Sequence, residues 1–325
     1  MIKRLLSCMA AAVSLTNPVL AQDSNSYPTQ NVRLIVPWAV GGISDGLARI
    51  IGDELSKRLE HTFVVESRPG AAGNIGAAQV ARANPDGYTL MLTVDTNITV
   101  NPLVYDNMTF DPIKDFTPVA MLSNMPMVLV TSKASGIKTF DELIRMAKTA
   151  RHPLTFGASG IGAPSTLLNE LFQLQTGIEM NQIPYQGNAP SVMAILSGEI
   201  TALFAATSGG VEDHIKTGKL NGLAIAATTR APYLPHLKTL QEEGVDIRVD
   251  YWQMVLAPKG TPPPIINKLN REINSIIQLD RVQKYIRTMG MLPLGTASPD
   301  ETKKRIVDEH RQWSELNKKA SLRGN

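Results

Sequence analysis

The chain alternates short apolar runs with stretches in which apolar residues recur every three or four positions. Arg33-Leu-Ile-Val-Pro37 reads as a buried strand, and Leu47, Ile50, Ile51, Leu55 and Leu59 then fall at helical spacing. A second strand over 62–66, a second helix over 74–83 and a third strand over 88–94 follow, the last after an Asn84-Pro-Asp-Gly87 turn. Strand, helix, strand, helix, strand predicts parallel pairing with right-handed crossovers, an α/β layer arrangement.

The pattern restarts in mid-chain. Residues 127–131 are strand-like, and Thr139-Phe-Asp-Glu142 is a capping box that opens a helix carrying Leu143, Met146 and Ala147. A strand over 154–158 and a helix over about 165–175 come next, and runs at 180–184, 202–206 and 222–226 complete a second strand set. The C-terminal part is mostly helical. Pro263 or Pro264 starts a helix burying Ile265, Ile266, Leu269, Ile273 and Ile276. Ser298-Pro299-Asp300-Glu301 combines an N-cap, a Pro at the first helical position and a capping Glu, and the helix behind it turns Ile306, Val307, Trp313 and Leu316 toward a core. Two α/β sets in 325 residues predict two lobes.

Composition narrows the function classes. Lys plus Arg number 32 against 29 Asp plus Glu, a net charge of +3, which supplies no concentrated basic face for nucleic acid. One cysteine closes no intramolecular disulfide and builds no Cys-rich zinc site. His61, His152, His214, His236 and His310 are isolated and show no metal-ligand spacing. The N-terminus is set apart: Lys3 and Arg4 precede an apolar run that ends Val19-Leu20-Ala21, the pattern of an export signal cleaved after Ala21. Residues 1–21 hold Lys3, Arg4 and Cys8, so the exported chain is thiol-free and nearly neutral. The expected location is the periplasm.

The strongest local feature is Pro37-Trp38-Ala39-Val40-Gly41-Gly42-Ile43-Ser44-Asp45, placed where the first strand gives way to the first helix. Glycines there let the backbone turn and bare its N–H groups, Ser44 or Asp45 can cap the helix, and the helix N-terminus favours an anion. Gly42-Ile-Ser44-Asp-Gly46 also matches the G-x-S-x-G expression of hydrolase nucleophile elbows, which leaves a serine hydrolase using Ser44 as an alternative. The connection is long for an elbow, and it follows the first strand rather than a later one. Ser67-Arg-Pro-Gly70-Ala-Ala-Gly73-Asn74-Ile-Gly76 is a second glycine-rich turn, whose expected role is to let the next helix approach the sheet. Phe156-Gly157-Ala-Ser159-Gly160-Ile-Gly162-Ala163-Pro164-Ser165 reads as a second anion cradle, with hydroxyls from Ser159 and Ser165 and N–H groups from its glycines. No acid/base pair stands out, so nothing argues positively for catalysis.

These motifs belong to a longer series. Pro37-x-x-x-Gly41-Gly42-x-Ser44-Asp45, Glu66-x-Arg68-Pro-Gly70-Ala-x-Gly73-x-Ile-Gly76, Pro85-Asp-Gly-Tyr-Thr-Leu90, Lys114-Asp-Phe-Thr-Pro118, Pro184-Tyr185-x-Gly187, Gly218-Lys-Leu220 and Leu256-Ala-Pro-x-Gly-Thr-Pro262 occur in order, before a final helix with Trp313. Over about residues 27–320 the chain resembles the solute-binding receptors of tripartite tricarboxylate transporters, the Bug family. The resemblance implies a two-lobed periplasmic-binding-protein, or Venus flytrap, fold: two mixed, mainly parallel sheets flanked by helices and joined by crossing strands. It implies lobe 1 over 22–125 and 252–325, and lobe 2 over 126–251. It further implies no catalysis, no cofactor, a monomer that closes over a small carboxylate, and delivery to membrane permease subunits. A receptor used as a ligand sensor for a membrane signalling protein is the other alternative.

Carried onto this sequence, the resemblance places the first carboxylate against Trp38, Val40, Gly41, Gly42, Ile43, Ser44 and Asp45, with Asp45 holding the loop rather than meeting the anion. Thr96 and Asn97, the second cradle with Ser159, Gly160, Gly162, Ala163 and Ser165, and Ala205, Ala206 and Thr207 complete the cleft. Both cradles lack Lys and Arg, so backbone amides and hydroxyls do the binding. Where the family often has an aromatic, two prolines and three glycines, this chain has Trp38-Ala-Val-Gly-Gly-Ile43, and Gln186 stands where Lys is frequent. Trp38 and Ile43 therefore raise the expectation of an apolar or aromatic ligand body beside the di- and tricarboxylates.

Overall fold

The computed structural model describes residues 26–158, 164–185, 187–207, 210–247 and 251–320. The export-signal reading of residues 1–21, Gln186 and most of the second cradle fall outside these residues.

The chain opens as the apolar spacing predicts, with β1 (Val32–Val36), α1 (Ile43–Leu59), β2 (Phe63–Ser67), α2 (Asn74–Ala81) and β3 (Thr89–Val94). Parallel pairing sets Leu34 beside both Val65 and Leu90. Two single-turn helices, α3 (Thr96–Thr99) and α4 (Asn101–Val104), lead to the long strand β4 (Phe116–Met125), which runs almost directly into β5 (Met127–Ser132). The second set then follows: α5 (Phe140–Thr149), β6 (Leu154–Ala158), α6 (Pro164–Thr176), β7 (Met180–Pro184), α7 (Asn188–Ser197), β8 (Ala202–Ala206), α8 (Val211–Lys216) and β9 (Leu220–Ala226). β10 (Tyr251–Pro258) returns, and α9 (Pro263–Ile277), α10 (Asp280–Thr288), β11 (Leu292–Pro293) and α11 (Pro299–Ala320) finish the chain.

The strands form one sheet in the order β11-β4-β10-β3-β1-β2 and another in the order β7-β6-β8-β5-β9. Both are mixed, but the expected predominance of parallel pairs does not hold. Among the described residues the parallel strand pairs are β1–β2, β1–β3, β6–β7 and β6–β8, while β10, β4, β11, β5 and β9 join by antiparallel pairing. The cause is the crossing between lobes. β4 and β5 carry the chain out of the first sheet and β10 carries it back, so each sheet acquires strands that run against its βα units.

Register at the crossing positions the cleft. Gln253 of β10 lies opposite Val94 and Ser123, Tyr251 lies opposite Met125, and Met127 of β5 lies opposite Ala206 and Ala226. The C-terminal end of β3 is thus tied to the start of β10, and that of β8 to the start of β5.

Apolar faces close both lobes. Leu47, Ile51 and Leu55 of α1 and Ile265, Leu269, Ile273 and Ile276 of α9 are buried on one side of the first sheet. Phe156, Phe172 and Phe204 pack together in the second, Phe204 tilted against Phe156 and edge-on to Phe172, with ring centroids 5.6 Å apart in both pairs. α11 spans the two: Ile306 packs with Trp252, Met254 and Leu256, while Trp313 is buried with Met127, Phe172 and Tyr251. Val307, expected inward, is 43% exposed, because it sits about 100° round the helix from the face that Ile306 and Trp313 share. Leu316 is outside the described side chains. The predicted caps form: Thr139 Oγ1 accepts from Glu142 N at 3.2 Å, and Ser298 Oγ accepts from Glu301 N at 3.2 Å.

Candidate ligand-binding site

In an open α/β sheet the loops at the carboxyl ends of parallel strands are where a ligand finds free N–H groups. Here the C-terminal ends of β1, β2 and β3 form one such edge and those of β6, β7 and β8 another, and the chain passes between the two sheets through β4–β5 and β10.

After β1, the backbone turns at Gly41, whose φ of +79° is one that L side chains rarely adopt, and α1 starts at Ile43. No side chain caps this helix; its N-cap is Gly42 in an extended conformation. Ser44 and Asp45, expected as caps, lie inside the first turn. The orphan N–H groups of that turn thus have no side-chain acceptor of the helix's own.

Asp45 is 2% exposed and holds the loop together. Its Oδ2 accepts from Gly41 N at 3.0 Å and from Arg49 Nε at 2.9 Å, and its Oδ1 accepts from Arg49 Nη2 at 3.0 Å and Ser67 Oγ at 3.1 Å. The Arg49 guanidinium, helped by the Gly41 amide and the Ser67 hydroxyl, keeps its carboxyl below the usual range despite burial. Arg49 is occupied by this pair. Ser44 is 6% exposed, and its Oγ accepts from Gln253 Nε2 at 2.7 Å. Trp38 and Ile43 pack against the core of the first lobe, while Val40, at 72% exposed, and Gly41 and Gly42 face outward.

The glycine-rich turn after β2 behaves as expected: a Cβ on Gly76 would stand 2.8 Å from Pro37 Cβ and 2.9 Å from Arg68 O, so only glycine lets α2 approach this closely. Within the turn Ala71 and Ala72 both have positive φ, 47° and 49°, a costly conformation for residues with a Cβ. Two asparagines pin it. Asn97 and Asn101 each donate to Ala72 O, at 3.1 and 2.9 Å, and to Asn74 Oδ1, at 3.2 and 2.8 Å. Asn97 also accepts from Thr93 Oγ1 at 3.1 Å, so this fully buried amide supports the loop. Thr96 is buried beside it in the first turn of α3.

On the second lobe, Ser159, Gly160, Gly162 and Ala163 lie outside the described residues. Ser165 follows them, buried in the first turn of α6. Tyr251 reaches this point from β10: its hydroxyl donates to Pro164 O at 2.9 Å. Ala205 and Ala206 are buried in β8, and Ala206 N donates to Asn188 Oδ1 at 3.2 Å. Thr207 makes a contact that nothing in its local sequence signals. Its hydroxyl donates to Gly290 O, beyond α10 of the other lobe, and Tyr233, 3.0 Å from the Thr207 hydroxyl, donates to the same carbonyl at 3.1 Å. Burial pushes the Tyr233 hydroxyl up to about 12, so it remains a donor at all ordinary pH values.

Two residues absent from the sequence reading therefore touch both cradles: Gln253 at Ser44 and Tyr251 at Pro164. The aromatic and polar start of Tyr251-Trp-Gln-Met-Val-Leu256 was a visible oddity in an otherwise apolar strand, but nothing in the spacing tied it to residues far away in the chain.

The first turn of α1 thus offers backbone amides and the buried Ser44 hydroxyl, and the guanidinium of Arg49 beside it is already paired with Asp45. The model of the tripartite tricarboxylate transporter family receptor, TctC, matches residues 47–322. The chain belongs to this family. BugT of Bordetella pertussis is 34% identical over 313 residues, covering 96% of this chain and 95% of BugT. The structure of R. palustris Rpa4515 with adipate is 33% identical with a TM-score of 0.80, covering 91% of this chain and 98% of that one. MatC from Rhodopseudomonas palustris with bound malate is 28% identical with a TM-score of 0.76, covering 89% and 99%. A TctC-family chain is a solute-binding receptor rather than an enzyme, so the G-x-S-x-G match is not a nucleophile elbow. The geometry accounts for Ser44 differently: it sits within a helix turn and accepts from a Gln amide.

Proposed function

We propose that this receptor captures a small dicarboxylate between its lobes and delivers it to the membrane permease subunits of a tripartite tricarboxylate transporter. The observation that carries the reading is the first turn of α1, uncapped and exposed at Gly41 and Gly42, with the buried Ser44 hydroxyl inside it. One carboxylate binds there, and the other binds at the sequence that precedes α6, with Ser159, Gly160, Gly162 and Ala163. Adipate and malate, bound by the relatives, are both dicarboxylates and support this class. Trp38 and Ile43 pack on the lobe core, which explains their apolar character without an aromatic ligand body.

In this reading the chain is exported, loses residues 1–21 and works as a periplasmic monomer. Residues 22–125 and 252–325 form lobe 1, and 126–251 form lobe 2. Hydrogen bonds to a charged partner contribute about 1.5–3 kcal/mol each. A handful of them matches the roughly 8 kcal/mol of micromolar affinity after the cost of ordering the lobes.

A melting screen against mono-, di- and tricarboxylates tests the proposal. Adipate or malate at about a hundred times its Kd adds about 2.7 kcal/mol of stability by mass action and raises Tm. A screen in which no dicarboxylate moves Tm, while benzoate-type acids do, overturns it.

A further inference from the structure

The hydroxyl of Ser44 has one hydrogen and two acceptor lone pairs, and which of them faces the ligand decides what the site binds. The answer lies in a buried polar chain. Gln253 is 1% exposed on β10, and its Nε2 stands 2.7 Å from Ser44 Oγ. Its Oε1 lies 3.4 Å from the hydroxyl of Ser123, a fully buried residue whose other neighbour is Met291 Sδ, also at 3.4 Å. A thioether is a weak acceptor, so the Ser123 hydrogen goes to Gln253 Oε1. The amide is oriented with its NH2 toward Ser44, where the 2.7 Å contact is much shorter than the 3.4 Å one to Ser123. Ser44 Oγ then accepts, and its own hydrogen is left to point elsewhere.

Strand geometry explains why this residue can do so. Side chains two apart on a strand share a face. Gln253 and Tyr251 point to the two cradles, at Ser44 and at Pro164, while Trp252 between them points away and donates to Glu309. β10 is the strand that returns between the lobes, so one rigid, buried element reads both.

We propose that Gln253 is a positioning residue for ligand capture: its amide holds the Ser44 oxygen as an acceptor and thereby turns the Ser44 hydroxyl hydrogen toward the bound carboxylate. This rests on the carboxylate reading given above. It assigns the α1 end of the site to groups that accept hydrogen bonds, ionised carboxylates, and against ammonium or amide NH2 groups in the same place.

The test is titration calorimetry with adipate and malate at pH 8 on the full receptor, alongside melting curves without ligand. Wild type, Ser44→Ala, Gln253→Met, Gln253→Glu and the Ser44→Ala/Gln253→Met pair are compared. Ser44→Ala should weaken binding about ten- to hundred-fold, the range for one hydrogen bond to a charged group. Gln253→Met should also weaken binding, and the pair should bind no worse than Ser44→Ala alone, because both changes remove one and the same hydrogen bond. Gln253→Glu, nearly the same size, should bind more weakly than Gln253→Met, since the new carboxylate takes the Ser44 hydrogen and repels the ligand.

A merely structural Gln253 would give losses that add to that of Ser44→Ala and follow the drop in melting temperature, and that result overturns the proposal. So does unchanged affinity in Gln253→Glu, which means the amide presents its oxygen to Ser44. If Gln253→Met does not fold, Gln253→Glu is compared with wild type: weaker binding at an unchanged melting temperature is the expected result, and unchanged affinity overturns the proposal. Wild type that binds neither acid overturns the carboxylate reading itself and this inference with it; wild type that binds while the variants fail the pattern overturns this inference alone.

Discussion

Glu170 sits on α6 with one carboxylate oxygen, Oε2, buried and without a hydrogen-bond partner among the described residues. Burial pushes its carboxyl up to about 7, against an ordinary value of 4.5. The folded protein therefore holds this proton more tightly than the unfolded chain does. Its contribution to stability is fully present below pH 4.5 and is lost as pH rises through about 7. A displacement of that size corresponds to about 3 kcal/mol against the ionised form, and partial solvation of the side chain brings this to about 2–3 kcal/mol. Gln fills the same space without charge. Glu170→Gln should then match wild type at pH 5 and melt higher at pH 8, by roughly 2–4 °C for each kcal/mol in a lobe of this size. Differential scanning calorimetry of both proteins at both pH values checks this. An equal shift at the two pH values, or a lower Tm at pH 8, would show that the carboxylate has a charged or hydrogen-bonding partner and refute the reasoning.

Gly76→Ala should destabilise by about 1–3 kcal/mol as an overpacked contact, since the atoms it meets are the ring of Pro37 and the backbone carbonyl of Arg68. Because Pro37 opens the α1 loop, dicarboxylate affinity should fall with the urea midpoint; an unchanged midpoint would mean that α2 shifts freely. Thr207→Val should remove one hydroxyl from the Gly290 carbonyl while leaving that of Tyr233. About 1 kcal/mol less interlobe contact changes the open-to-closed ratio about five-fold. Small-angle scattering of the ligand-free receptor should show a larger radius of gyration, and identical profiles would rule out a role for this contact in closure.

Local physics made much of the fold readable. The βα units around Val32–Val36 and Leu154–Ala158 declare themselves through apolar runs followed by helical spacing, and Thr139 and Ser298 mark helix starts with their own side chains. The same reading erred where neighbours in space decide. Ser44 and Asp45 had the chemistry of caps, yet the loop turns at Gly41 and places both inside the helix, where Asp45 ties back to Gly41 and Ser44 meets β10. Parallel pairing was over-read because all eight residues of β10 are buried, and a strand covered on both faces shows no alternation to reveal its direction or its partners.

The sequence by itself determined the two α/β sets, the family, and the two glycine- and serine-rich loops without Lys or Arg. Those are properties of consecutive residues, set by backbone freedom, side-chain periodicity and capping. Only the tertiary structure decided that Gln253 faces Ser44, that Tyr251 reaches Pro164, and that Thr207 contacts Gly290 rather than an open rim. These contacts depend on the register of the strands that cross between lobes. A slip of one residue in β10 would turn Gln253 to the opposite face and leave Ser44 without its donor.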